Sequence, residues 1–162
     1  IYEPFNHTRK LIGFDTFEGF QSVDDKDGKA EIIKEGAFSV AEGYENYLEQ
    51  VLKYHETESP IPHKKKFELV KGDATKTLEQ YLERNQHTIV AFAYFDFDIY
   101  AQTAKCIELI LDRVTKGTIL GFDELNVESY PGETLALMET IGLSKYKIHR
   151  SPYSGCQSYI VI

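Results

Sequence analysis

One uninterrupted hydrophobic run dominates the pattern of the chain. Seven of the eight residues from 89 to 96 are apolar, small or aromatic, and the eighth is Asp96. A run of this length predicts a strand buried on both faces, as in the centre of a parallel sheet. A buried helix segment has the same periodicity, but the β-branched and aromatic content and the new helical pattern from Tyr100 favour a strand.

The rest of the chain alternates between strand and helix periods. Ser39 is a predicted N-cap, with Glu42 at the capping-box spacing, and Gly117 is a predicted C′ residue. Residues 21–29 are polar and rich in turn formers, which predicts a loop that is free to move. The predicted strands cover residues 10–14, 67–71, 88–98, 118–122, 146–150 and 157–162, and the predicted helices cover residues 39–55, 75–85, 99–115 and 131–142.

This alternation predicts an α/β fold, with a mostly parallel sheet and helices on both of its faces. The last two strands are joined only by the short loop S-P-Y-S-G-C, so they are expected to form an antiparallel pair. The chain shows no internal repeat. Its 162 residues are the length of one domain.

Four of the predicted strands end at an acidic residue. Asp15, Asp96 and Asp123 directly follow apolar residues, and Asp73 follows the strand at 67–71 after one glycine. Ligands of open α/β sheets bind at the carboxyl ends of the strands. The four carboxylates are therefore expected to converge on one crevice.

The acids divide into two chemical roles. A carboxylate after an early strand is placed to accept hydrogen bonds from ribose hydroxyls, which fits Asp15, and Asp73 is placed to accept from an adenine amino group. A second set offers hard oxygen ligands that suit Mg²⁺, Mn²⁺ or Ca²⁺ rather than zinc. Such an ion would orient a substrate hydroxyl, and a remaining carboxylate would take its proton. This second set consists of Asp96, Asp98, Asp123 and Glu124, with Asp98 as the expected proton acceptor.

Structural roles stay open for the same residues. Asp98 could instead cap the helix that begins near Ile99. Glu124 could face solvent, and Asp15 could stabilise the turn that follows its strand. The five histidines show no pair at metal-ligand spacing, so they are expected to be surface or structural residues.

The composition of the chain limits which classes of binding partner are expected. A formal charge of −8 argues against binding to nucleic-acid phosphates, and no apolar run is long enough to predict a membrane span. The two cysteines, Cys106 and Cys156, lack a CxxC spacing and suit the reducing cytoplasm. The expected partner is a small-molecule substrate, and a homo-oligomer is left open.

Three motifs resemble the macrocin O-methyltransferase family. They occur in the right order, and the resemblance covers essentially the whole chain. They read G-F-D-T-F-E-G-F from Gly13, F-D-F-D-I-Y from Phe95, and G-F-D-E-L from Gly121 followed by Y-P-G-E-T-L-A-L. The resemblance implies a Rossmann-like class I methyltransferase fold. It also implies S-adenosylmethionine as methyl donor, Mg²⁺ or another divalent cation, and a sugar hydroxyl of a natural product as acceptor.

The resemblance assigns roles to individual residues. Asp96, Asp123 and Glu124 match the metal-binding acids of the family, with a glutamate where many members have a second aspartate. Asp98 matches the proposed general base. The cofactor-binding positions of class I methyltransferases match Asp15, Asp73 and Ala74.

One feature of the family pattern is absent. Class I methyltransferases carry a glycine-rich loop after their first strand, whereas no G-x-G occurs here and Asp15 comes too early to leave room for one. We therefore expect residues 1–162 to form a single partial methyltransferase domain, with the first strand and its loop preceding Ile1.

Two other functions stay open. A metal-dependent glycosyltransferase also uses a D-x-D motif to hold the cation of a nucleotide sugar. A catalytically silent relative would use the same fold as a binding module, although such a copy would have no reason to keep the acids.

Overall fold

Strands and helices alternate along the chain as the sequence predicts. The computed structural model describes residues 5–162, and its 3₁₀ turns lie at Asp25–Asp27 and Leu111–Arg113. The strands are β1 (Leu11–Asp15), β2 (Phe67–Lys71), β3 (Val90–Phe95), β4 (Val114–Phe122), β5 (Ile148–Arg150) and β6 (Ser158–Val161). The helices are α1 (Tyr44–Thr57), α2 (Ala74–Arg84), α3 (Tyr100–Ile110) and α4 (Gly132–Thr140).

The described strands form two sheets. One is the parallel pair β1–β2, and the other has the order β3-β4-β6-β5. β3 and β4 pair in parallel, whereas β6 pairs antiparallel with both β4 and β5. The antiparallel pair predicted for the C-terminal region is confirmed. The carboxyl ends of all four parallel strands meet at one pocket, as expected at such a sheet edge.

The core lies on one face of the four-stranded sheet, where α2, α3 and α4 pack side by side. Its centre is formed by Phe95, Leu120 and Phe122 of the sheet against Ile107 of α3 and Leu137 of α4. The rings of Phe95 and Phe122 stack with their centroids 5.2 Å apart. Burial of these large apolar side chains is the main stabilising contribution, at about 1.5–3 kcal/mol each.

The opposite face of β3 is uncovered, so the prediction of a strand buried on both faces is wrong. Phe92 is 60% exposed and Tyr94 is 42% exposed, and their rings stack on each other beside Gly121 of β4. The apolar composition of residues 89–95 correctly predicts a strand. However, all three helices that pack against β3 and β4 within residues 5–162 lie on the other face.

Two predicted helix ends are also wrong. The first helix begins at Tyr44 after the left-handed Gly43, not at Ser39, and buries none of its residues. Gly117 lies within β4 instead of ending a helix, because its N–H donates to Ile162 at 2.7 Å. The Thr118 hydroxyl strengthens this end of the strand by donating to the Val90 carbonyl at 2.7 Å.

Other elements agree closely with the prediction. β2 has the predicted bounds, and the predicted inner face of α2 is buried at Leu78, Tyr81 and Leu82. Cys106 is buried in the core and Cys156 is half-buried, both as free thiols. Within residues 5–162, no helix combines the length and the hydropathy that crossing a bilayer requires.

Candidate active site

A single pocket contains all six acids that the strand ends predict. Its volume is about 470 Å³. The predicted convergence of the strand-end carboxylates is thus confirmed. The lining residues are Phe14, Asp15, Thr16, Gly19, Phe20, Gln21, Phe38, Gly72, Asp73, Ala74, Asp96, Phe97, Asp98, Ile99, Gln102, Asp123, Glu124 and Tyr130.

On one side of the pocket, the carboxylates are already held by their own turns. Asp15 accepts a hydrogen bond from the N–H of Phe17 at 2.7 Å, as the turn-holding alternative expects. Asp73 caps α2 by accepting from the N–H and the hydroxyl of Thr75 at 3.0 and 2.7 Å, and it pairs with Lys76. Burial raises the pKa of Asp73, but these donors outweigh it and lower the pKa below 3.8. Beside them, Ala74 is buried at the start of the helix.

On the other side of the pocket, three acids crowd together. Asp96, Asp98 and Glu124 each place a carboxylate oxygen within 4.8 Å of the others. Burial, then hydrogen bonding with Asp98 and repulsion from nearby acids, raises the pKa of Glu124 to about 9. Desolvation and the charges of Asp123 and Asp98 also raise the pKa of Asp96. Among residues 5–162, no lysine or arginine forms an ion pair with these three carboxylates.

The backbone at Asp98 is unusual. Its φ is +60°, in the left-handed region that side chains other than those of Asn and Asp rarely adopt. The following helix has Ile99 at its N-cap position with no side-chain cap, so the alternative role of Asp98 as a helix cap is wrong. The Asp98 carboxylate is directed into the acid group instead.

Asp123 lines the same pocket but lies outside the group of three. Its Oδ1 accepts hydrogen bonds from the hydroxyl of Tyr94 and from Nε2 of Gln157, the latter at 2.9 Å. Burial and the Asp123 carboxylate together raise the pKa of the Tyr94 hydroxyl. Both hydrogen bonds use Oδ1, so Oδ2 is the oxygen that Asp123 can offer to a ligand.

Two fully buried carboxylates behind the pocket were not predicted. Glu133, at the start of α4, accepts from the N–H of Phe97 at 3.3 Å and from the N–H of Glu124 at 3.2 Å. Burial raises its pKa to about 7, against the opposing effect of its backbone hydrogen bonds. Asp27 accepts from the N–H of Tyr100 at 2.5 Å and from that of Asp24 at 2.6 Å.

Asp27 also anchors the polar loop at 21–29. Because its carboxylate caps α3, Asp27 itself is buried against the helix, whereas residues 21–25 of the loop are exposed. Lys26 supports the anchor by pairing with Glu139 at 2.7 Å and lying over the ring of Tyr100. The acidic, turn-rich composition of the loop gave no sign of one buried aspartate.

Gly132 lets the buried groups approach each other. A Cβ at this position would lie 2.6 Å from the Tyr100 nitrogen and 2.8 Å from both the Asp98 carbonyl oxygen and Oδ1 of Asp27. Such distances exclude any side chain without a shift of the backbone. The P-G of the third motif therefore marks a close contact behind the acid group.

The residues present suit a divalent cation and a nucleoside. Hard oxygen ligands are what Mg²⁺ and related ions prefer, and Oε2 of Glu124 is buried without a hydrogen-bond partner among the described residues. The aromatic residues Phe20 and Phe38, whose rings are 5.3 Å apart, offer an apolar wall to the same pocket. They lie in a segment that sequence patterning did not assign to the site.

Known proteins were compared with the chain by sequence and by structure. No protein-family model matches it, and no curated protein matches it. Solved structures do match. The crystal structure of CalS11, a calicheamicin methyltransferase, aligns over 99% of this chain with 38% identity and a TM-score of 0.95.

Two further structures extend the comparison. An apo structure of CalS11, described as a TDP-rhamnose 3′-O-methyltransferase in calicheamicin biosynthesis, aligns over 99% of this chain with 34% identity and a TM-score of 0.83. The O-methyltransferase NovP aligns over 94% of this chain with 16% identity and a TM-score of 0.61, which shows a common fold. The chain spans 63% and 61% of the two CalS11 chains and 60% of the NovP chain. The resemblance predicted from the three motifs is therefore confirmed: the chain is similar over nearly its whole length to CalS11, and it has the class I methyltransferase fold.

Proposed function

We propose that the protein is an S-adenosylmethionine-dependent O-methyltransferase that acts on a hydroxyl of a sugar or related natural product with the help of a divalent cation. The observation that carries this proposal is the pocket itself, in which uncompensated acids lie beside two acids of the nucleoside-binding type. The similarity to CalS11 over 99% of the chain supports the same reaction class.

The cofactor side is formed by the ends of β1 and β2. Asp15 would accept from the ribose hydroxyls, and Asp73 from the adenine amino group, with the buried Ala74 leaving room for the base. Asp15 keeps a second carboxylate oxygen beyond the Oδ1 that its turn uses. The second oxygen of Asp73 pairs with the exposed Lys76 side chain, an ion pair that adenine binding would share or displace. Structural and binding roles are therefore compatible at both positions.

The cation side is formed by the ends of β3 and β4. Asp96, Asp123 and Glu124 are the proposed ligands, and Asp98 is the proposed base. When bound, S-adenosylmethionine supplies the methyl group and the cation supplies charge stabilisation at the acceptor oxygen. The contribution of Asp98 is to accept the proton of the acceptor hydroxyl, while the pocket aligns that oxygen for attack.

The geometry leaves two roles for Asp98. One of its carboxylate oxygens lies within 4.8 Å of an oxygen of Asp96 and of one of Glu124. Asp98 is therefore placed to act either as a ligand or as a base. We assign it the base role because Asp123, which lines the same pocket, is free to supply the third ligand oxygen. The two roles predict different effects of neutralising Asp98: loss of a ligand would weaken cation binding, whereas loss of the base would reduce turnover alone.

The proposal extends to the setting of the enzyme. The partner is a small molecule rather than a nucleic acid, in keeping with the charge of −8. Residues 1–162 are proposed to be part of a single methyltransferase domain, and two free cysteines suit a cytoplasmic enzyme.

Ligand titration of the full-length protein tests the proposal. S-adenosylhomocysteine should raise the melting temperature, because a ligand that binds only the folded state stabilises it. UDP alone should have no such effect; TDP is not used as this control, because it is part of the probe acceptor. Incubation with S-adenosylmethionine, Mg²⁺ and TDP-rhamnose as probe acceptor should give a product in which one hydrogen is replaced by a methyl group. Mass spectrometry would detect the corresponding increase in mass. Stabilisation by a nucleoside diphosphate but not by S-adenosylhomocysteine would instead support a glycosyltransferase.

A further inference from the structure

Glu133 is the one fully buried glutamate in the described part of the chain, and none of the roles above uses it. It lies at the start of α4, where the helix dipole favours a negative charge. No lysine or arginine pairs with its carboxylate among the described ion pairs. Its recorded hydrogen-bond donors are backbone N–H groups, so it is held by the main chain alone.

The two oxygens of Glu133 contact two different turns. Oε1 accepts from the N–H of Phe97, which lies between Asp96 and Asp98 in the turn after β3. Oε2 accepts from the N–H of Glu124, in the turn after β4. One rigid carboxylate group therefore spans the two turns that carry the acid group of the pocket.

The turn after β3 is held from its other side as well. Asp27 accepts from the N–H of Tyr100, so the segment from Phe97 to Tyr100 lies between two buried carboxylates. Within it, Asp98 has a φ of +60°, a left-handed conformation that aspartate adopts more readily than most side chains but still at a cost in energy. The position of Asp98 relative to Glu124 thus depends on these contacts.

From this arrangement we infer that Glu133 is a positioning residue that fixes the spacing between the two acid-bearing turns and so sets the affinity of the pocket for a divalent cation. The inference rests on the proposed function, because it requires that the acid group bind a cation. Groups that orient ligands without touching the ion typically change metal affinity by about 10- to 100-fold when they are replaced.

Glu133→Gln is the variant that separates this role from simple packing. Glutamine keeps the size of the side chain but has one carbonyl oxygen and one NH₂ group. Its NH₂ group would face a backbone N–H of one turn, so that turn loses its acceptor. Glu79→Gln is the matched control, since Glu79 is exposed on α2 far along the chain from both turns.

The experiment measures Mg²⁺ binding by calorimetry on the full-length proteins, and melting temperature in chelator. We expect Glu133→Gln to weaken Mg²⁺ binding by about 10- to 100-fold, and Glu79→Gln to leave it unchanged. If Glu133→Gln lowers the melting temperature but binds Mg²⁺ as tightly as the wild type, Glu133 only packs and the inference is overturned. If the wild type binds no Mg²⁺, the cation site itself is overturned together with this role.

A second measurement needs no variant and applies even if Glu133→Gln fails to fold. Amide hydrogen exchange of the wild-type protein reports the two N–H groups directly. Both Phe97 and Glu124 amides should exchange slowly in chelator, because a buried acceptor already holds them. Rapid exchange at both positions would contradict a fixed spacing between the turns.

Discussion

The two sides of the pocket use the same residue type in opposite electrostatic settings. Asp15 and Asp73, at the ends of β1 and β2, are held by hydrogen bonds from their own turns, and the pKa of Asp73 is lowered. Asp96 and Glu124, at the ends of β3 and β4, face other acids, and their pKa values are raised. The acids of the first side have hydrogen-bond donors in their own turns, whereas no lysine or arginine within residues 5–162 pairs with the crowded acids of the second side.

This difference shows that an acidic residue at the end of a strand can have either a structural or a binding role. An aspartate after a strand is often only a turn or cap residue, and Asp15 and Asp73 serve in that way whatever else they bind. Crowded carboxylates that burial and repulsion destabilise have no such structural explanation. They are the stronger indication of a binding site, because folding alone gains nothing from them.

The largest expected effect is on catalysis, at Asp98. Asp98→Asn should reduce turnover of the full-length enzyme by about 100- to 10,000-fold, the usual contribution of a general base. Binding of Mg²⁺, measured by calorimetry, should be largely retained because Asp96, Asp123 and Glu124 remain. Loss of Mg²⁺ binding would instead make Asp98 a ligand, and unchanged turnover would remove it from the mechanism.

The next effect tests the packing behind the acid group. Gly132→Ala should lower the free energy of unfolding by about 1–3 kcal/mol, because the added Cβ overlaps backbone atoms of Asp98 and Tyr100. Chemical denaturation measures the change. Gly155→Ala is the control, since no atom lies within 4 Å of the Cβ it would add. Equal stability of the two variants would show that this contact is not tight.

A smaller effect is expected on the cofactor side. Asp73→Ala should cost about 1 kcal/mol through loss of the α2 cap, whereas the same change at the exposed Asp112 should cost little. Because folding lowers the pKa of Asp73 below 3.8, its ionised form stabilises the protein above about pH 4. This contribution should disappear as the pH falls through the folded-state pKa. A cost that does not diminish as the pH falls below about 4 would contradict the role of the charge.

The last effect, similar in size to that at Asp73, has the opposite sign. Glu124→Gln should raise the melting temperature in chelator by about 2–4 °C, because it removes a crowded carboxylate. Folding raises the pKa of Glu124 from 4.5 to about 9, so the wild-type protein loses stability as the pH rises through that interval. The advantage of glutamine should therefore vanish below about pH 4.5. Glu128→Gln, at an exposed position, should change nothing, and a destabilised Glu124→Gln would contradict the crowding.

Much of this arrangement could be predicted from the sequence because it follows from local pattern. The apolar runs predict the order of the elements, and the residues that follow four of these runs identify the acids at the strand ends. The convergence of those acids then follows from parallel pairing, which places the carboxyl ends of strands at one edge.

The rest depends on contacts between distant parts of the chain. Asp27 and Glu133 look like ordinary polar residues of a loop and a helix, yet each accepts backbone N–H groups from another element. Likewise, the apolar run of β3 gave no sign of which face the helices would cover. The local sequence pattern does not predict such contacts, because they form only when distant elements pack against each other.

The central claim is that the acids of β3 and β4 hold a cation while those of β1 and β2 hold the nucleoside. Calorimetric titration of Mg²⁺ and of S-adenosylhomocysteine into the Asp96→Asn and Asp73→Asn variants of the full-length protein tests it most directly. The account predicts that Asp96→Asn loses Mg²⁺ binding and keeps S-adenosylhomocysteine, and that Asp73→Asn shows the reverse. Undiminished Mg²⁺ binding by Asp96→Asn, or equal losses of both ligands in both variants, would contradict it.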